Sequence, residues 1–160
     1  MPLPVNLRHL EAKNLLLTGE LPVAELELDA LDELIHFHQP LTYNLEVEKL
    51  DNGILAQGTL DLPIECECAR CLKPYPHRLL LEDWACLLPL EGEEKAAIIG
   101  DCVDLTPYIR EDIVLALPQH PLCNPECAGL KSPGKDLPAE QKSEPASSAW
   151  AELNKLKLNE

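Results

Sequence analysis

Two pairs of closely spaced cysteines are the residues in this chain best suited to chemistry: Cys68-Ala69-Arg70-Cys71 and Cys123-Asn124-Pro125-Glu126-Cys127. Zinc takes four thiolates in a tetrahedron, and a short C-x2-C or C-x3-C turn supplies two of them without strain. If the turns meet, Cys68, Cys71, Cys123 and Cys127 make a closed site that holds structure and leaves no position for a substrate. The plainer alternative is that all four are buried small hydrophobes. A third reading is a thiol oxidoreductase, since Cys68 and Cys71 have C-x-x-C spacing and Arg70 is placed to lower a thiol pKa. Redox motifs of that kind open a helix in a βαβ unit, however, and these residues sit at the tip of an expected hairpin. Cys66 and His120 are candidates to substitute as metal ligands, while Cys86 and Cys102 read as core residues. The histidines (His9, His36, His38, His77, His120) are scattered, and no nucleophile elbow, phosphate loop or H-E-x-x-H motif occurs, so no catalytic residue is assigned.

The elements that must position the cysteines are legible in part. Tyr43, Leu45 and Val47 alternate with polar neighbours, and Asp51-Asn52-Gly53 follows with an Asn-Gly pair suited to a positive-φ hairpin turn. From Ile54 to Cys68 the even-numbered positions are apolar or small and most odd-numbered ones polar, which predicts one long strand with a buried face. Cys66 falls on the core parity, and Pro63 on the other, where an edge or a bulge would accommodate it. Ala69-Arg70-Cys71 makes the turn, and Tyr75–Leu88 returns as a strand packed by Leu79, Leu81, Trp84, Ala85 and Leu87. Asn14–Leu21 reads as a strand. Val23–Gln39 fits strand and helix periods equally, and His36 and His38 there suit a half-buried strand face.

A helix is expected after Val103, with Thr106 as N-cap, Pro107 at its first position, and Ile109, Ile113, Val114 and Leu117 on one face before Pro118. Gln119–Gly129 is a proline-punctuated loop that must fold back to the hairpin tip if the four thiols are to meet. Residues 131–146 have linker composition. Residues 147–160 suit a short helix with Trp150, Leu153 and Leu156 on one side, too short to be stable in water without a partner surface.

Composition narrows the function classes. The 160 residues hold 28 acids and 13 bases, a formal charge of −15. Five acids and five bases lie in residues 131–160, so residues 1–130 carry the whole excess. Such a surface repels phosphate backbones and argues against DNA or bare RNA as ligand. A basic protein is the better charged partner, although acidity also serves solubility alone. No signal sequence and no membrane-length apolar run is visible, so a cytoplasmic location with reduced thiols is expected. Seven cysteines, an odd number, suit a metal site with spare thiols better than a disulfide framework.

The chain resembles the YceD family of large ribosomal RNA subunit accumulation proteins. The resemblance rests on Glu65-Cys66-Glu67-Cys68-Ala69-Arg70-Cys71-Leu72, on Asp104-Leu105, and on Glu111-Asp112-Ile113-Val114-Leu115-Ala116-Leu117-Pro118. It continues in Pro121-Leu122-Cys123, Cys127-Ala128-Gly129-Leu130 and Trp150-Ala151-Glu152-Leu153-Asn154-Lys155-Leu156. It implies a non-enzymatic protein needed for normal accumulation of large-subunit rRNA, with the family's paired cysteines at Cys68 and Cys71, then Cys123 and Cys127. Many relatives carry a further C-x-x-C after Gly-Leu, where this chain reads Lys131-Ser132-Pro133-Gly134-Lys135. The expectation is therefore an α+β, mostly β protein. Residues 1–130 form an acidic domain, an antiparallel hairpin-rich sheet or partly open barrel, with a zinc knuckle of cysteines and a helix after the sheet. A linker and a C-terminal helix follow. The expected role is an assembly factor for the large ribosomal subunit, touching a basic ribosomal protein, with an adaptor unrelated to ribosomes as the remaining alternative.

Overall fold

The computed structural model describes residues 2–28 and 31–130. Along the chain come β1 (Pro4–Asn6), the one-turn helix α1 (Leu7–Leu10), β2 (Leu15–Leu21), a 3₁₀ turn (Val23–Leu26) and β3 (Ile35–His36). Then follow β4 (Leu41–Leu50), β5 (Gly53–Glu67), β6 (Pro74–Pro89), β7 (Ile98–Ile99), β8 (Cys102–Asp104) and α2 (Thr106–Ala116). The described residues are mostly β, and every strand pair among them is antiparallel. The expected linker at 131–146 and the helix at 147–160, with Trp150, Leu153 and Leu156, lie outside the described residues.

β5 is the spine of the main sheet. β6 runs along one side of it, from Gly53↔Pro89 to Glu67↔Pro74. The other side is shared end to end by β4, which pairs as far as Asp61, and β3, which pairs Ile35 with Cys66. Pro63 lies in the gap between those two partners, a local edge where a missing N–H breaks no ladder. β2 lies beyond β4. The sheet is open, with β2, β6 and the short β3 each paired on one side only; of the two expected forms it is the hairpin-rich sheet, and the partly open barrel does not form. Four strands across are too few for the edges to curl into bonding distance. A second small sheet, in the order β1-β8-β7, ties the N-terminal residues to the start of α2. Its strands of two or three residues are too short to show a period in the sequence.

The alternation along β5 is fully expressed: Ile54, Ala56, Leu60, Leu62, Ile64 and Cys66 are all buried. The turn before it forms with Asp51-Asn52 as its two-residue loop, since Leu50 faces Gly53. Neither Asn52 nor Gly53 takes a positive φ. Gly53 is needed for close approach instead, because a Cβ there would meet the Leu88 carbonyl oxygen at 2.6 Å.

On β6 the expected core face holds for only part of its length. Leu79 and Trp84 are buried and Leu81 partly so, but Ala85 is exposed and Leu87 is 62% exposed. A β-bulge is the reason. Gly58 faces Trp84 while Leu60 faces Leu81, so Glu82 and Asp83 both stand opposite Thr59. One extra residue flips the parity, and beyond it Trp84, Cys86 and Leu88 turn inward. The Thr59 hydroxyl donates to the Glu82 carbonyl and fastens the bulge (3.3 Å).

The ambiguous Val23–Gln39 segment is neither helix nor long strand. Its 3₁₀ turn ends at Glu27, in the left-handed region (φ 49°), and only β3 pairs. Leu26, Leu28 and Ile35 are nonetheless buried, so apolar positions of both periods reach the core. α2 starts at Thr106, but that residue is not a free cap. Its hydroxyl donates to Asp104 Oδ1 (2.6 Å) and accepts from the Leu3 amide (3.2 Å), while Asp104 Oδ1 accepts the Thr106 amide (3.0 Å). The carboxylate at the helix start is thus two residues before the Thr106 cap that the sequence pattern suggests. Leu117 adopts an extended ψ of 140° before Pro118, as the residue preceding a proline must. Ile109 and Ile113 are buried in the shared core, and Trp84 Nε1 donates to Asp112 Oδ2 (2.7 Å), tying β6 to α2.

Candidate metal centre

The hairpin tip between β5 and β6 is a tight knuckle. The Leu72 amide donates to the Cys68 carbonyl (2.8 Å) and the Cys68 amide to the Lys73 carbonyl (3.0 Å), with Leu72 left-handed (φ 58°). The second loop has its own turn, in which the Cys127 amide reaches the Asn124 carbonyl and the Glu126 amide the Asn124 side chain, both at 3.0 Å. Three hydrogen bonds join the loops. The Ala69 amide donates to the Pro121 carbonyl (2.8 Å), and Arg70 Nη1 donates to the carbonyls of Cys127 (3.1 Å) and Pro125 (3.4 Å). Arg70 therefore serves as a clasp between the loops, a role its position beside a thiol did not suggest. Any residue reaching two carbonyls across a turn must be long and cationic or amidic, but only the folded loop reveals which carbonyls are near.

The clasp brings Cys68, Cys71, Cys123 and Cys127 together, with all four sulfurs within 4.8 Å of one another. Cys68 Sγ lies 3.8 Å from Cys127 Sγ, and Cys71 Sγ 3.7 Å from Cys123 Sγ. A tetrahedron with metal–sulfur bonds of about 2.3 Å has edges of about 3.8 Å, so these separations fit four thiolates around one ion of zinc's size. Cys68 is fully buried, Cys71 and Cys127 are half-buried, and Cys123 is exposed. Backbone amides of Cys123, Cys71 and Arg70 direct hydrogens at the Cys68 sulfur. Led by Cys123, they bring its pKa down to about 6 against the upward effect of burial. Cys123, donating to the Cys68 and Cys71 sulfurs, is pushed up to about 12. An ion bound among these sulfurs would displace the thiol protons.

The other sequence candidates lie elsewhere. His120 is exposed and absent from the cluster. Cys66 is wholly buried in the core, where burial raises its pKa. Cys86 and Cys102 are half-buried rather than central. His36 and His38 sit beside Glu67 (3.2 Å) and Glu65 (3.8 Å), as carboxylate partners on a half-open face. Among the described residues no helix is long and apolar enough to cross a membrane.

The family model of the "Large ribosomal RNA subunit accumulation protein YceD" matches residues 56–157, well over half of the chain. The chain belongs to the YceD family. The YceD match takes in most of β5, all of β6, α2 and both cysteine loops, so the four clustered cysteines fall wholly inside it. Uncharacterized proteins of Mycobacterium bovis and Mycobacterium tuberculosis are each 34% identical over 113 residues, which cover 66% of this chain and 53% of theirs. One from Mycobacterium leprae is 25% identical over 111 residues, covering 61% of this chain and 48% of its own. The chain spans about half the length of the curated relatives it matches. No solved structure matches it.

Proposed function

We propose that this YceD protein is a non-catalytic accessory factor supporting accumulation of large-subunit ribosomal RNA, with one structural zinc held by Cys68, Cys71, Cys123 and Cys127. The observation that carries the reading is the closure of the cluster. Four sulfurs within 4.8 Å of one another, two pairs of them at 3.8 and 3.7 Å, would fill every position of a tetrahedral zinc and leave none for a substrate. Such an ion acts by fixing shape, here by locking the loop after α2 onto the hairpin tip. Structural zinc contributes on the order of 10 kcal/mol in small motifs, comparable to a domain's whole stability. The family description supplies the process, and the charge of −15 supplies the preference among partners. An acidic body attracts a basic ribosomal protein and repels bare rRNA, and in this reading it shields such a protein before docking. Trp150, Leu153 and Leu156 are then a second contact.

Depleting the protein and separating ribosomal subunits on a gradient tests the process. The large-subunit rRNA should fall relative to the small-subunit rRNA, and an unchanged ratio would overturn the reading. The Cys68 pKa of about 6 favours one rival, a thiol oxidoreductase. Metal analysis separates the two: one zinc per chain with no disulfide-reductase turnover is expected, and a metal-free chain that turns over would establish the rival.

A further inference from the structure

Among the described residues β6 is an edge strand with a free side: its backbone pairs only with β5 over Pro74–Pro89, and outside that ladder residues 75–88 make no backbone–backbone hydrogen bond, the Glu82 carbonyl alone being taken by the Thr59 hydroxyl at the bulge. Prolines at 74, 76 and 89 blunt its two ends, as natural edges are blunted, but the middle is open. There the bulge turns toward α2 and leaves an open cleft of about 600 Å³ between Leu80–Ala85 and the helix. Glu82, Asp83 and Asp112 line the cleft, and no lysine or arginine does. Leu115, which is 81% exposed, and Leu80 supply its apolar surface. A second depression of about 460 Å³, on the other side of the bulge, shares Glu82 and Asp83 and adds Glu46.

We infer that this cleft binds an extended, lysine- and arginine-rich polypeptide segment, which adds to β6 as a strand beside α2. A free strand edge offers unpaired N–H and C=O groups in register, the basis of recognition by strand addition. The carboxylates select cationic side chains and disfavour phosphate, so the occupant is a protein segment and not RNA. Leu115 and Leu80 give an apolar residue of the segment a place to rest. The bulge fixes where the segment sits, because it divides the free edge and places two acids at the division. This deepens the functional reading above, on which it rests, by naming the face that meets a basic partner.

The test uses the zinc-loaded full chain and a fluorescein-labelled decapeptide of alternating lysine and valine. A glutamate–valine peptide and an oligouridylate serve as comparisons. The basic peptide should bind and the comparisons should not, and hydrogen exchange should slow at amides within Leu80–Ala85. Glu82→Lys/Asp83→Lys should weaken binding tenfold or more, and Leu115→Asn threefold or more. Glu20→Lys/Glu25→Lys, an equal charge change at or next to the opposite edge strand, should change it less than threefold. Equal weakening by both charge pairs, protection elsewhere, tighter oligouridylate binding or no peptide binding would each overturn the inference. The depletion experiment fails independently: unchanged rRNA alongside a peptide-binding cleft would remove the ribosomal process and leave the cleft standing.

Discussion

Individual side chains in this protein take their roles from differences of a few ångströms, and the cysteines show it best. Cys66 and Cys68 are two residues apart and both fully buried, yet one packs in the core and the other joins the cysteine cluster, because β5 ends at Glu67 and the knuckle begins after it. Cys71→Ser should therefore leave zinc well below one per chain by mass spectrometry. Cys66→Ser should keep the zinc but lower stability by about 1–3 kcal/mol in urea unfolding, the cost of an ill-matched buried hydroxyl. Asp61 gives a pH signature. Arg78 holds it in two hydrogen bonds (2.9 and 2.6 Å), which lower its pKa below the ordinary value. A depressed carboxylate stabilises the fold above its unfolded pKa of about 3.9, and that contribution fades as pH falls through the folded value. Asp61→Asn should thus be less stable than the parent at pH 7, with the gap closing below about pH 4 in parallel melts. The pair is exposed, so the gap is small.

At the scale of the element, β5 and β6 decide what the rest can do. Their hairpin carries the knuckle at its tip and the bulge at its middle, so one long pair of strands sets both the cysteine cluster and the open cleft. Gly58 lies beside the bulge and close against β4. Its φ of +150° is a conformation other residues rarely adopt, and a Cβ would fall 2.1 Å from the Asn44 carbonyl oxygen. Gly58→Ala should cost about 3 kcal/mol or more, read as a lower denaturation midpoint, because backbone must move to admit the methyl group. An alanine variant as stable as the parent would mean that β4 and β5 separate more easily at this point than their pairing suggests. The long alternating run of β5 was readable beforehand, since a two-residue period over such a length has one simple solution. The bulge on β6 was not, because a parity slip in mid-strand has no local signature and depends on the partner across the ladder.

Across the described residues, an aliphatic core holds the sheet and α2 together, and the proposed zinc would hold the two cysteine loops. Leu26, Leu45, Ile54, Leu60, Leu62, Leu105, Ile109 and Ile113 are fully buried in a core cluster that includes no residue of the cysteine loops. Chelation should therefore release the loop after α2 while the sheet survives: the melting temperature falls by about 10 °C or more, far-UV circular dichroism at 20 °C changes little, and the Ala69 amide loses exchange protection. Collapse of the sheet on chelation would show that the ion nucleates the core. The sequence by itself determined the mostly β class, the length of β5, the helix before Pro118 and the thiol pairs, because each depends on local period or spacing. Tertiary structure alone decided that the sheet stays open, that β6 changes parity at Glu82-Asp83, that Arg70 clasps two carbonyls, and that four sulfurs converge. Those outcomes depend on residues distant along the chain meeting in space, and a meeting of that kind is set by the packing of every element between them.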